Sequence, residues 1–237
     1  MKKLMFVAAA IVAGTVFANG IVSSSVVGYQ QFASAEDDNL YFVPTFLNVG
    51  SATKVKLSDI QPDGDWDCDF DWLGTLNSNG LQVDTYTFDG GHWYVLENWV
   101  KTDTLADNVE ITLSHGLVCY SYAGSKFTFS GQVVSGDTAL YTVEDDNAYT
   151  GNFTPTQLRL GDIVPDANWD SDFDWLGTVN NNGLQVDTYT FADGDWYVLE
   201  DWVKTETVAN EVKFDAGDSL VVYTYGGSVL TFPGAID

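Results

Sequence analysis

The chain has 237 residues, with 34 acidic and 9 basic side chains and a formal net charge of −25. A surface with this charge repels nucleic acid and anionic lipid, so we exclude both as partners. Aromatic residues make up 14% of the chain, too many for a disordered acidic chain. The composition therefore indicates a folded acidic protein.

The N-terminus is predicted to be an export signal. Lys2 and Lys3 precede an apolar run, and the small residues Val16 and Ala18 fit the −3 and −1 positions of a cleavage site. A membrane span needs about 20 apolar residues, and this run is shorter. We predict a signal peptide over 1–18 and no membrane span after it. The mature protein is then secreted, extracellular or on the outer surface, with the periplasm as the open alternative.

The run from Ile21 to Tyr29 is rich in β-prone residues and is followed by an acidic turn at 36–39. We predict that it forms a strand that pairs with the sheet of the first module. The open alternative is self-assembly, in which the strand pairs with the edge of a neighbouring molecule, because exposed edges accept added strands.

Most of the remaining chain is an internal duplication. Residues 57–131 align without a gap with residues 160–234, at the offset between Trp66 and Trp169 (169 − 66 = 103), with 47 identities over 75 positions. One architecture must therefore serve both copies. We place two β modules at 19–132 and 133–237.

Short strand signals separated by turn residues run through each module. Apolar residues alternate with aspartate from Asp65 to Trp72, which predicts a strand with one apolar and one acidic face. Asn79-Gly80 and Asn182-Gly183 predict tight hairpins. No segment shows helical periodicity. The predicted fold class is all-β, with two tandem antiparallel β-sandwich or barrel-like modules.

Several of these segments resemble a known group of proteins. Ser25 to Tyr29, Leu117 to Tyr122 and Phe127 to Val133, with the Trp-rich middle, look like uncharacterised secreted tandem-repeat proteins of verrucomicrobial and lentisphaeral bacteria. The resemblance covers most of the chain after the signal and implies an exported all-β repeat. It implies no activity for any residue, because that group has none established.

The alternating aspartates are candidate metal ligands, because oxygen ligands suit Ca²⁺. The spacing does not fit an EF-hand, since Cys68 and Gly74 occupy the positions that would need Gly and Glu. The alternative is a solvated strand face. The candidate Ca²⁺ residues are Asp63, Asp65, Asp67, Asp166, Asn168 and Asp170.

All eight tryptophans fall in register between the copies. Trp66 and Trp72 alternate with aspartate and are predicted to lie in the core, whereas Trp93 and Trp99 follow a Gly-rich turn and are predicted to be more exposed. Exposed aromatics beside carboxylates suit sugar binding, although packing is the commoner role of Trp. The candidate ligand-binding residues are Trp93, Tyr94, Glu97, Trp99, Trp196, Tyr197, Glu200 and Trp202.

Cys68 and Cys119 occur in the first module only, where Ser171 and Val222 replace them in the second. Export to an oxidising compartment favours a disulfide bridge between them. Two buried free thiols are the other interpretation, because Ser and Val are also natural replacements for such thiols.

We interpret the chain as a non-catalytic secreted or surface β-repeat protein with a structural or adhesive role, whose partners are glycans or other surface proteins. Carbohydrate binding is the second interpretation, favoured if Trp residues form an exposed row. The third is a glycoside hydrolase using Asp84, Glu97, Asp187 and Glu200, favoured if two carboxylates face each other in a cleft. Burial of all eight tryptophans would favour the first. No catalytic residue is predicted, and Ca²⁺ is the only candidate cofactor.

Overall fold

The computed structural model describes residues 27–33, 35–42, 46–47, 54–77, 82–112, 116–133, 136–152, 154, 156–180 and 183–234. The predicted signal peptide over 1–18, the first part of the predicted N-terminal strand, the Asn79-Gly80 turn and Asn182 lie outside these residues. Within them, the all-β prediction is confirmed. The described residues contain antiparallel strands and two short 3-10 turns, and no helix long and apolar enough to cross a membrane.

The first repeat contains a six-stranded sheet in the order β2-β11-β6-β7-β8-β9 and a smaller sheet in which β1, β3 and β5 pair with β12. Strands β4 and β10 form a separate ribbon. The bounds are β1 (Val27–Ala33), β2 (Asp38–Phe42), β3 (Phe46–Leu47), β4 (Lys54–Lys56), β5 (Ile60–Pro62), β6 (Trp72–Leu76), β7 (Gln82–Asp89), β8 (His92–Glu97), β9 (Val100–Leu105), β10 (Glu110–Thr112), β11 (Leu117–Ser121) and β12 (Lys126–Val133).

The second repeat has the same order, β14-β22-β17-β18-β19-β20, in its six-stranded sheet. Its smaller sheet runs β13-β23-β16, and β15 pairs with β21. Every one of these sheets takes its strands from a single repeat. The bounds are β13 (Thr138–Tyr141), β14 (Asp146–Gly151), β15 (Leu158–Arg159), β16 (Val164–Pro165), β17 (Trp175–Val179), β18 (Gln185–Ala192), β19 (Asp195–Glu200), β20 (Val203–Val208), β21 (Lys213–Phe214), β22 (Ser219–Thr224) and β23 (Val229–Phe232).

Each repeat encloses one core between its large and small sheets, as in a β-sandwich. Leu73 lies opposite Tyr86 on one side and Cys119 on the other, so all three point to the same face. All three are buried, together with Ile60 and Phe127 from the small sheet. The core face of the large sheet is thereby defined, and Trp72, the neighbour of Leu73, points to the opposite, outward face.

The N-terminal strand pairs within the molecule. β1 lies antiparallel to β12, from Val27 opposite Gln132 to Ala33 opposite Lys126. The predicted intramolecular pairing is confirmed for the described part of the segment that ends at Tyr29. The strand also continues to Ala33, beyond the predicted end, because pairing with a long partner strand outweighs the weak strand preference of its polar residues.

The prediction of an alternating strand from Asp65 to Trp72 is wrong for residues 65–71, because β6 begins only at Trp72. Residues 63–71 form a turn-rich loop in which the backbone N–H of Asp71 donates to the Asp67 carbonyl at 2.7 Å. The Asp67 side chain accepts the N–H of Asp69 at 3.0 Å, and Asp63 accepts that of Asp65 at 3.3 Å. Aspartate at every second position therefore serves side-chain-to-backbone turns, which compete with strand formation.

The Asp71 carboxylate holds this loop to the turn that follows β11. Asp71 is 1% exposed. Its Oδ2 accepts the N–H of Asp67 at 3.0 Å and the hydroxyls of Ser121 and Ser125 at 3.1 and 3.0 Å. Its Oδ1 accepts the N–H of Tyr122 at 2.7 Å. Four donors thus surround a buried charge, which is the arrangement such a charge requires.

The equivalent carboxylate, Asp174, has fewer donors. It accepts the N–H groups of Asp170 at 2.9 Å and Tyr225 at 2.7 Å. The hydroxyls of Thr224 and Ser228, at the positions of Ser121 and Ser125, donate to other acceptors. Burial raises the pKa of Asp174.

Replacing Asp71 with Asn should lower the free energy of unfolding by about 2–4 kcal/mol, because the amide group leaves at least one buried donor without an acceptor. Urea denaturation at pH 7 measures this change. The matched Asp174→Asn variant should lose less stability, because Asp174 accepts two hydrogen bonds whereas Asp71 accepts four. An equal loss in both variants would contradict the comparison.

The pH dependence of the Asp174→Asn variant provides a further check. A raised folded-state pKa means that the folded protein holds the proton more tightly, so the contribution of Asp174 to stability is fullest below its unfolded pKa and declines as the pH rises through the folded pKa. The cost of Asp174→Asn should therefore be larger in acid than at neutral pH.

Cys68 and Cys119 are free thiols, so the disulfide interpretation is wrong, and the alternative of two buried free thiols is confirmed for Cys119, whereas Cys68 is only half-buried. Cys119 is fully buried on the core face of β11. Cys68 lies in the loop on the other side of the sheet, where its carbonyl accepts the hydroxyl of Thr87 at 3.2 Å. The six-stranded sheet separates the two residues.

Two thiols should be titratable after denaturation without reductant, and Cys68 alone should react in the folded protein. Burial raises the pKa of the Cys119 thiol and keeps reagents from it, while burial and nearby carboxylates also raise the pKa of Cys68 and should slow its reaction. Absence of reactive thiols after denaturation would show that a bridge forms.

Candidate functional site

Trp93 and Trp196 are buried, so the prediction that they are exposed is wrong. Both have 0% exposure. Their indole N–H groups donate to the carbonyls of Ile60 and Ile163, each at 2.9 Å. The register of β7 and β8 places Trp93 opposite Phe88, and both rings pack in the core. A fully buried side chain does not touch a ligand, so this pair leaves the candidate site.

The prediction that Trp66 and Trp72 both lie in the core is right for one of them and wrong for the other. Trp66 packs at the edge of the core, with its ring centroid 5.6 Å from that of Trp93 and 5.2 Å from that of Phe127, which confirms the prediction. Trp72 lies on the outward face, so the prediction is wrong for it. Because the strand begins at Trp72, the alternation upstream does not set its face.

Each six-stranded sheet carries a row of aromatic side chains on its outward face, which we name the aromatic strip. Trp72 and Tyr120 are cross-strand neighbours on β6 and β11, and the other members come from adjoining turns. The strip of the first repeat is Phe70, Trp72, Trp99, Tyr120 and Tyr122, and that of the second is Phe173, Trp175, Trp202, Tyr223 and Tyr225.

The rings of the first strip are in mutual contact. Trp72 and Tyr120 stack with centroids 6.0 Å apart and planes at 15°. Trp99 lies 5.6 Å from Trp72 at 58°, and Phe70 lies 5.6 Å from Tyr122 at 35°. These contacts position the rings while the outer members stay exposed to solvent.

The second strip repeats this geometry. Trp175 stacks on Tyr223 at 5.8 Å and 16°, and Trp202 lies 5.6 Å from Trp175 at 58°. Phe173 lies 5.3 Å from Tyr225. Two surfaces of the same shape are thus present in one chain.

Trp99 is held on the surface in a conformation that disfavours it. Asn98 and Trp99 form the two-residue loop between β8 and β9, with φ of 52° and 64°. Positive φ at both positions is the requirement of a type I′ turn, which prefers Gly at the second. Trp99 is nevertheless 66% exposed there. A bulky residue in this region costs about 1–3 kcal/mol, and such strain concentrates at functional sites.

The second repeat contains the same strained turn. Asp201 and Trp202 have φ of 50° and 65°, and Trp202 is 64% exposed. The prediction that Trp99 and Trp202 are exposed is confirmed. Neither packing in the core nor turn geometry accounts for a tryptophan at this position.

Carboxylates border each strip. The Tyr120 hydroxyl donates to Asp37, and this hydrogen bond raises the pKa of Tyr120. The Tyr223 hydroxyl donates to Asp145 at 2.6 Å, with the same effect on its pKa. Glu97 and its counterpart Glu200 are exposed beside the tryptophan turns. The strips therefore combine apolar ring faces with hydrogen-bond acceptors.

Tyr94 and Tyr197 are half-buried beneath lysine side chains on the same outward face. The Lys101 ammonium lies 5.1 Å from the Tyr94 ring centroid, and that of Lys204 lies 4.3 Å from the Tyr197 centroid. These are cation–π contacts. The lysines cover both rings, so neither tyrosine presents an open ring face like those of the strips.

Several of the candidate Ca²⁺ residues accept hydrogen bonds within their own loops. Asp67 and Asp170 accept backbone N–H groups within their own loops, each at 3.0 Å, and Asp166 accepts the Asn168 N–H at 3.1 Å. Among the described residues, no group of three or more His, Cys, Asp or Glu is placed to hold a metal. Calcium binding by Asp63, Asp65, Asp67, Asp166, Asn168 and Asp170 stays a prediction.

Most members of the strips were missed by sequence reasoning, namely Phe70, Trp72, Tyr120 and Tyr122 with their second copies. A signal existed for two of them, because Tyr120 and Tyr122 share a face at period two, opposite the face of Cys119. Phe70 and Trp72 were missed because the alternation of aspartate before Trp72 predicted a longer strand with both residues on its apolar face.

Comparison with known proteins returned no match to this chain among family models, curated proteins or solved structures. The site is therefore interpreted from its own chemistry.

Replacing Trp99 with Gly should leave the free energy of unfolding about unchanged, because the gain and the two losses are of similar size. The substitution removes a strain of about 1–3 kcal/mol and a ring contact worth about 0.5–1.5 kcal/mol, while Gly itself costs about 0.5–1 kcal/mol in chain entropy. Thermal and urea unfolding measure the change.

The neighbouring Val100→Gly variant is the matched control. Val100 is as exposed as Trp99 but lies in β9 without positive φ. The Val100→Gly variant should lower the free energy of unfolding by about 0.5–1 kcal/mol. A larger loss for Trp99→Gly than for Val100→Gly would contradict the assignment of strain.

Proposed function

We propose that this chain is an exported, non-catalytic protein that binds carbohydrate through its two aromatic strips. The observation that carries the proposal is the exposed tryptophan in a strained turn, present with the same geometry in both repeats. Turn geometry alone would favour Gly at this position, so a role in binding supplies the reason for Trp.

The chemistry of the strips favours sugars over other ligands. The C–H faces of a pyranose pack on aromatic rings, and its hydroxyls donate to carboxylates such as Asp37 and Glu97. A nucleic acid would also stack on such rings, but it requires a positive groove, whereas this chain has a formal net charge of −25. The same charge favours neutral polysaccharides over acidic ones.

Carbohydrate binding, the second interpretation of the sequence, is thus preferred to a purely structural role, the first. A purely structural role would have required burial of all eight tryptophans, but Trp99 and Trp202 are exposed. An adhesive role remains compatible, because attachment to a glycan surface is adhesion.

The hydrolase interpretation receives less support. Asp84 and Glu97 are both exposed, as are Asp187 and Glu200. A general acid of a glycosidase works from a desolvated position. Binding without cleavage fits these surfaces better.

Two equal sites in one chain suit a repetitive ligand. When one strip holds a polysaccharide, the other meets it at high effective concentration, so the combined affinity exceeds that of either site. The predicted export signal is consistent with this use, since such polymers lie outside the cell.

Affinity electrophoresis in gels containing xylan, mannan or β-glucan tests the proposal. At least one neutral polysaccharide should retard the wild-type chain. Trp99→Gly or Trp202→Gly should reduce the retardation, and the double variant should abolish it, because each substitution removes the exposed ring on which a sugar would pack.

Tyr141→Ala is the control for this experiment. Tyr141 is 73% exposed on β13 and lies outside both strips, so its removal should change nothing. Retardation that survives in the Trp99/Trp202 double variant would disprove the role of the strips.

A further inference from the structure

A cavity of about 340 Å³ lies in the second repeat, within the size range of small-ligand sites. Trp169 and Phe191 supply aromatic walls, and Ser171, Asp193 and Lys204 supply polar groups. Lys204 is two residues beyond Trp202, and Ser171 is two residues before Phe173. The cavity lining therefore shares a hairpin and a loop with the aromatic strip of the second repeat.

The first repeat differs at four of the eight lining positions, with Gly64, Cys68, Asp89 and Gly90 in place of Ala167, Ser171, Ala192 and Asp193. There, Lys101 forms an ion pair with Asp89, and the residue equivalent to Asp89 is Ala192. Among the described residues, Lys204 has no carboxylate within salt-bridge distance, and its recorded contact is the Tyr197 ring. The change from Asp to Ala leaves an ammonium group with unused donors at the cavity.

The remaining polar groups of the cavity include acceptors. Asp166 is already engaged, because it accepts the Ser228 hydroxyl at 2.7 Å, which lowers the pKa of Asp166, and also bonds to Asn168. Asp193 is exposed in the turn between β18 and β19, with φ of 55°. The cavity thus presents a donor, a carboxylate acceptor and a hydroxyl between aromatic walls.

We infer that this cavity binds one neutral hexopyranose unit, with Lys204 and Asp193 bonding to its hydroxyls and Trp169 and Phe191 packing on its ring. The inference rests on the proposed function and adds a specific subsite to it. One ammonium and two carboxylates leave no excess positive charge for an acidic sugar, and Lys204 needs an acceptor, which the ammonium group of an amino sugar does not supply. A neutral polyol uses both donors and acceptors.

The experiment is a titration of the ¹⁵N-labelled full chain with glucose, mannose and galactose, followed by amide chemical shifts. Glucuronate and glucosamine serve as charged probes. At least one neutral hexose should shift the signals of residues 191–193 and Lys204 saturably. Tighter binding of either charged probe than of every neutral hexose would overturn the ligand class.

Ala192→Asp should weaken binding at least about tenfold, a change of about 1.4 kcal/mol, by recreating the ion pair of the first repeat. The fold accepts Asp here, as Asp89 demonstrates. Ala192→Ser adds a polar atom without charge and should bind within about twofold of wild type. Equal binding by Ala192→Asp and wild type would overturn the role of Lys204.

The double variant Asp89→Ala/Gly90→Asp is the converse, since it should free Lys101 and supply the counterpart of the Asp193 carboxylate. It should create new saturable shifts near residues 88–90 and Lys101, and their absence would overturn the conclusion that these two positions separate the repeats. No shifts at 191–193 with any sugar would overturn the subsite. If Trp99 and Trp202 still govern polysaccharide retardation in that case, the proposed function stands, and if retardation is also absent, it fails independently.

Discussion

The arrangement of each strip depends on a single buried carboxylate. Asp71 is flanked in sequence by Phe70 and Trp72, and its Oδ1 accepts the N–H of Tyr122. Three of the five aromatic positions are therefore fixed by the hydrogen bonds of one residue. A buried charge tolerates few alternative geometries, because each lost donor is costly. This makes it a precise anchor for side chains that receive little support from the core.

The tryptophan turns show a different relation between stability and function. The hairpin of β8 and β9 would form more readily with Gly at the second turn position. Trp99 instead occupies left-handed space and is held by its contact with Trp72. A two-residue loop allows few backbone conformations, so the ring stays on the outward face. Rigid presentation of an apolar surface reduces the ordering cost of binding.

The two repeats have diverged in ways that keep the fold. In the cores, Ile111 and Phe127 of the first repeat correspond to Phe214 and Leu230 of the second, so one large ring is retained in a different place. Volume-conserving changes of this kind are well tolerated. On the surface, Asp89-Gly90 of the first repeat corresponds to Ala192-Asp193 of the second, so one carboxylate moves by one position without touching the core. The strips themselves are unchanged in all five residue types.

The sequence by itself determined the all-β class, the duplication and the presence of turns, because strand period, Gly and Asn are read locally. It also placed Trp99 and Trp202 correctly at exposed positions. It could not determine the conformation before Trp72, because alternating aspartates satisfy side-chain-to-backbone turns as well as one face of a strand. Only the tertiary structure decided that Asp71 is buried while Trp72 is on the surface. The physical reason is that burial depends on register and on the opposing sheet, and these arise from contacts between residues far apart in the chain.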